Sequence, residues 1–136
     1  MIKPIMKSEF FLRLPSEDAG PDDAATGQDL LDTLHEHEHE CVGLAANMIG
    51  VRKRIICVKD GNRTLLMYNP QILEQVNSYQ TSEGCLSLSG ERPCTRYRRI
   101  KVEYFDENFV HRIKNFSGYT AEIIQHEIDH CNGIVI

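Results

Sequence analysis

The sequence predicts an α+β fold, and three observations carry that expectation. An amphipathic stretch around residue 30 comes first, a series of short β-rich segments separated by turn residues follows, and a second helical stretch closes the chain. With 136 residues, 41% of them hydrophobic, the chain is long enough to bury one core but leaves little room for a second, so residues 1–136 are expected to form one domain.

Pro21, Asp22 and Asp23 have the character of a helix start, with acidic side chains in the first turn, and Leu30, Leu31 and Leu34 give the stripe that this helix buries. It is expected to run to about His39. The small residues of CVGLAANMIG, 41–50, predict a loop or close-packed turn. RIICV, 54–58, and TLLMY, 64–68, flank an Asp60-Gly61 turn and predict a hairpin that Asn69-Pro70 ends. Strand-like content recurs at 71–80, 85–89, 98–105 and 109–115, with Asp106 to Asn108 turning the last two. Ser117 is placed to cap a final helix from Gly118 to about Asn132, which Gly133 ends. HEHEHE is the only low-complexity tract.

A formal charge of −5 argues against nucleic acid as the main partner, because phosphate binding needs a concentrated positive field. The local exception, RYRRIK at 96–101, reads as a solvated strand face. No segment approaches the roughly 20 apolar residues that span a bilayer, and the N-terminal stretch lacks an apolar run of signal-peptide length, so a soluble, cytoplasmic protein without membrane contact is expected. The cysteines at 41, 57, 85, 94 and 131 are odd in number and lack CxxC spacing, which does not describe a disulfide framework.

The chemistry concentrates in IIQHEIDHCNG, 123–133. At 100° per residue, Ile123, His126, Glu127 and His130 share one side of the helix, Ala121, Ile124 and Ile128 a neighbouring one, and Glu122, Gln125, Asp129 and Asn132 a wet remainder. Histidines at i and i+4 project in parallel and can share one metal, and a glutamate beside them that is not a ligand can take a proton from water on that metal. A catalytic site of this kind needs a third protein ligand. The metzincin pattern would place a histidine where Ile136 stands, so the ligand must lie upstream. His35, His37 and His39 continue a helix whose apolar stripe has ended and read as a solvated end; His111 reads as a half-buried sheet residue. Cys131 points about 100° from His130, toward the core, and Cys57 lies inside an apolar run. In EGCLSLSG, period-2 alternation sends Cys85 with Ser87 and Ser89 to a polar face, which favours Cys85, with Cys94 as the remaining competitor.

CVGLAANMIG, EGCLSLSG and QHEIDHCNG resemble the three signatures of the peptide deformylases, GxGLAAxQxG, EGCLS and QHExDHxxG, over residues 41–133. The resemblance implies an α+β fold with the HExxH helix against antiparallel strands, and one divalent metal held by Cys85, His126 and His130. Ferrous iron is the implied metal, with zinc, nickel or cobalt as substitutes; one thiolate beside two imidazoles suits several of these ions. The implied activity is removal of the N-formyl group from formyl-methionyl peptides of newly made proteins, with transient ribosome contact as a further expectation. In the implied roles Glu127 is general base and then general acid, Leu86 offers a backbone N–H to the oxyanion, Val42, Gly43 and Glu83 lie beside the substrate chain, and Ile123 lines the methionine pocket.

Three positions depart from the signatures. Cys41 replaces the first glycine and Ser89 a proline, both tolerable. Met48 stands where the family has the glutamine whose amide N–H donates to the oxyanion, and a thioether cannot donate. Losing one such donor typically costs about 2.7 to 4 kcal/mol, roughly a hundred- to a thousand-fold in rate. Asn47 or an ordered water is the candidate replacement. Two other activities stay open: a metal-loaded relative that binds peptide N-termini without useful turnover, and a zinc endopeptidase.

Overall fold

The computed structural model describes all 136 residues. Five antiparallel strands form one sheet in chain order, β1 (Gly43–Ala45), β2 (Ile55–Asp60), β3 (Arg63–Gly84), β4 (Glu91–Phe105) and β5 (His111–Ser117). Three helices accompany them: α1 (Glu9–Leu12), α2 (Ala24–Glu36) and α3 (Gly118–Cys131). Helix α3 packs against β1, β2 and β4, and α2 against β1 and β2. No helix is long and apolar enough to cross a membrane.

The two long helices form where their apolar periodicity lies, although α2 ends at Glu36, short of His39. Its stripe of Leu30 and Leu34 is fully buried, while His35 and His39 are exposed. A helical turn is stable when it buries something, and past Leu34 it would bury nothing. At the other end of the chain, α3 closes at Gly133, as the sequence predicts. Gly133 has φ 75°, its N–H bonds the His130 carbonyl at 3.0 Å, and the Ile134 N–H bonds the Asp129 carbonyl at 2.9 Å. That pair of bonds is a Schellman cap.

The strands differ from expectation in three places, the first being that β4 begins at Glu91 rather than at 98. Second, Asn69-Pro70 does not end a strand; β3 passes through it with a register shift between Tyr68 and Gln71. Asn69 has φ 54°, and its side-chain amide bonds both the N–H (2.7 Å) and the carbonyl (2.9 Å) of Ala19. A left-handed residue satisfied by a neighbouring segment makes a bulge, and a bulge accommodates the missing proline N–H. Third, 85–89 is not a strand. The β3–β4 ladder stops at Gly84 opposite Glu91, so Cys85–Gly90 is the bend that joins the two. Its alternation of leucine and serine imitates a period of two without a partner strand.

CVGLAANMIG divides into β1 and a 3-10 turn over Ala46–Ile49, and most of it is buried beside α3. The short α1, the brief β1 and the continuation of β3 to Gly84 are the elements that sequence patterning missed.

Candidate metal and catalytic site

Helix α3 has hardly a wet face: every residue from Ile123 to Ile128 is buried. Gln125, expected outside, is 4% exposed and ties the helix to β4, accepting from the Tyr97 N–H at 2.8 Å and donating to the Tyr97 and Ala121 carbonyls. With that anchor set, His126, Glu127 and His130 face the end of β3, where Cys85 begins the bend.

The ligand atoms of Cys85, His126 and His130 all lie within 4.8 Å of one another. The two imidazole Nε2 atoms approach to 3.0 Å. Two ring nitrogens aimed at each other at that distance hold one proton between them or a cation, and the adjacent thiol supplies a third donor of the kind borderline metals take. The donor set therefore fits a divalent ion. Neither Cys94 nor Cys131 belongs to the group; Cys131 and Cys57 are buried in the core. His35 and His37 pair instead with Glu38 and Glu40, and His111, on β5 with its side chain 49% exposed, pairs with Glu103.

His126 Nδ1 lies 2.7 Å from Glu83 Oε1. A carboxylate there fixes the ring and directs its other nitrogen at the shared point. Glu83 accepts in turn from Arg96 Nε and Nη2 at 2.8 to 3.1 Å, and Arg96 Nη1 reaches Asp129 Oδ2 at 2.7 Å. Arg96 is 4% exposed, so the RYRRIK segment is not simply a solvated face: its first residue is a buried cation. Burial opposes Arg96's charge, but bonds from two carboxylates more than offset it and hold its pKa above the ordinary value. Burial also disfavours the Glu83 charge, yet hydrogen bonds from His126 and Arg96 hold that carboxyl well below the usual range.

The two histidines respond oppositely. Burial works against the His126 cation, but bonds to Cys85 and Glu83 outweigh it and push the ring up to about 10. Burial and the neighbouring His126 charge push His130 down to about 3. The two shifts favour a single positive charge on the pair, on the His126 ring.

Glu127 is buried, and its Oε1 has no hydrogen-bond partner. Burial pushes its carboxyl up to about 7, against the pull of His126. A carboxylate with that basicity exchanges protons near neutrality. Gly43 makes room for it: a Cβ at position 43 would stand 2.9 Å from Glu127 Oε2 and 2.7 Å from Ile123 Cγ2.

A cavity of about 880 Å³ opens over this group, with Val42, Gly43, Met48, Glu83, Leu86 and Ile123 in its lining. Met48 is 1% exposed, and its sulfur accepts from the Ala45 N–H at 3.5 Å. Asn47 does not stand in as a donor to this cavity: it is not among the lining residues, and its amide Nδ2 turns to the His130 carbonyl at 2.9 Å. That bond reflects the close packing of the 3-10 turn on α3, which single-strand periodicity does not reveal. Arg96, Gln125 and Lys7, whose Nζ bonds the Leu86 carbonyl at 2.9 Å, are the site's supporting residues that sequence patterning missed. For Arg96 one signal existed: counting back by twos from buried Ile100 aligns it with the core-facing positions of β4, although Arg98 between them is exposed and only Arg96 is buried against carboxylates.

Three kinds of comparison agree with this geometry. The family model described as polypeptide deformylase matches residues 6–136. The peptide deformylase of Clostridium beijerinckii is 51% identical over 136 residues, covering both chains completely. Among solved structures, the peptide deformylase from Thermus thermophilus superposes with a TM-score of 0.89 at 33% identity, over 99% of this chain and 84% of that one. The Met-Ala-Ser-bound class I type b peptide deformylase from Acinetobacter baumannii does so with a TM-score of 0.87 at 30% identity, over 99% and 97%. A match that leaves out only the first five residues, and a relative half identical from end to end, establish that the chain belongs to the polypeptide deformylase family.

Proposed function

We propose that this chain is a metal-dependent peptide deformylase acting in the cytoplasm on N-formyl-methionyl ends of newly made polypeptides, with Cys85, His126 and His130 holding one divalent ion, iron(II) first. The observation that carries the reading is the meeting of those three donors with a buried, unpartnered glutamate under one cavity. The ion, when bound, would supply Lewis acidity toward the formyl oxygen and make water more acidic.

The chain's own residues do the rest. Glu127 Oε1, free of other bonds and raised by burial, accepts a proton from water and returns it to the departing amine nitrogen. Leu86 N–H makes no hydrogen bond within the fold and is the main-chain donor for the developing oxyanion. Glu83 keeps the His126 ring oriented, so its part is support of a ligand as well as lining of the cavity. Ile123, Val42 and Gly43 give the apolar wall against which a methionine side chain packs; the Acinetobacter relative is named as binding Met-Ala-Ser in the corresponding fold.

Met48 favours a second reading, a metal-loaded binder of peptide N-termini with little turnover, since neither its sulfur nor Asn47 donates into the cavity. Formate release from a formyl-methionyl peptide by anaerobic, iron-loaded protein separates the two. The deformylase reading expects release above background, and Met48→Gln to raise kcat by roughly ten-fold or more as a donor is regained. Release at background from the wild type, restored only in Met48→Gln, would favour the binder. Cleavage of unformylated internal peptide bonds would point to an endopeptidase instead. Ribosome contact through the exposed Arg98 and Arg99 remains part of the proposal for nascent substrates.

A further inference from the structure

The Cys85–Gly90 bend carries both a metal donor and the Leu86 N–H, yet none of the main-chain hydrogen bonds of the fold falls within it. Leu86 and Leu88 pack against the core, but apolar contact sets depth and leaves the peptide planes free to turn. Besides the Cys85 side chain's bond to His126, one directional bond holds the bend: Lys7 Nζ donates to the Leu86 carbonyl at 2.9 Å, across 79 residues of sequence.

Lys7 is itself held. Its neighbour Met6 donates its N–H to the Met48 carbonyl at 2.7 Å, and Lys3 N–H bonds Thr33 Oγ1 on α2 at 2.9 Å. The N-terminal strap therefore ties α2, the Met48 turn and the Leu86 bend together. Lys7 is also the only lysine or arginine in the cavity lining. A charged donor makes a stronger bond than a neutral one, and a bond to the carbonyl fixes the tilt of the following peptide and restrains the Cys85–Leu86 peptide before it.

We propose that Lys7 is a positioning residue: by gripping the Leu86 carbonyl it orients the Cys85–Leu86 segment, and so places both the thiol donor and the main-chain N–H. The second consequence rests on the deformylase reading, and it weighs more here than in a chain with glutamine at position 48. With Met48 unable to donate, the Leu86 N–H is the donor left to the oxyanion.

Two variants test this. Lys7→Met keeps most of the aliphatic stem and removes the donor, while Lys7→Arg restores one. Formate release is measured together with the rate at which a chelator strips cobalt from cobalt-loaded protein. Lys7→Met should lower kcat roughly ten-fold with KM changed less than about two-fold, the pattern of a contact that matters in the transition state, and should lose cobalt faster. Lys7→Arg should recover most of both. Wild-type kcat in Lys7→Met, a change confined to KM, or an arginine variant as poor as the methionine one would overturn the proposal. Absence of formate from the wild type would strike the deformylase reading instead; the cobalt arm would then decide Lys7, with faster loss in Lys7→Met upholding it and equal rates overturning it.

Discussion

Two of the three candidate metal donors ride on α3 and one rides on the Cys85–Gly90 bend, and the two supports differ in kind. His126 and His130 sit on a helix with a continuous main-chain ladder, a Schellman cap at Gly133 and a side-chain anchor through Gln125. Cys85 sits at the root of a bend that one lysine bonds from outside. The site therefore has a rigid half, made by local sequence, and a half whose geometry is imposed by distant residues. Loss of a donor from either half should appear as lost metal, whereas a change that only displaces Glu127 on the helix should appear as lost chemistry with metal and fold intact.

The largest effect expected from the soft half is that of its ligand. Cys85→Ser should remove most bound metal, whereas Cys94→Ser should leave metal content unchanged; metal analysis of anaerobically purified variants checks both, and the opposite pattern would assign the wrong thiol. Next comes the support between the halves. Glu83→Gln leaves Arg96 with Asp129 alone and weakens the hold on His126, so metal affinity should fall roughly ten- to a hundred-fold, read by competition with a chelator. Affinity equal to the wild type would make Glu83 a cavity wall and nothing more. A smaller effect is expected at the rigid half. Gly43→Ala puts a methyl group 2.9 Å from Glu127 Oε2, so kcat should drop about ten-fold while metal content holds, a displacement of the base without loss of its neighbours.

The same division explains what the sequence revealed. The α3 pattern, the β2–β3 hairpin and the Cys85, His126 and His130 set were legible because each is local or belongs to a spaced motif. Residues 85–89 were misread as a strand because Leu86 and Leu88 alternate with serines, and periodicity carries no information on whether a partner strand exists. Arg96 read as part of a solvated strand face because its carboxylates stand 13 and 33 residues away; only the fold brings them within bonding distance. Asn69 read as a stop because nothing nearby in sequence announces the Ala19 backbone that satisfies it. Lys7 gave no signal at all. Its partner is a main-chain carbonyl, which every residue has.

The central claim is that Glu127 serves as the proton carrier beside a cation held by one sulfur and two ring nitrogens. Its most direct test compares wild type with Glu127→Ala, each loaded anaerobically with iron, for bound metal and for formate released from a formyl-methionyl peptide. One ion on each protein and formate from the wild type alone is the expected result. Formate at comparable rates from both would contradict the account, since the base would then lie elsewhere.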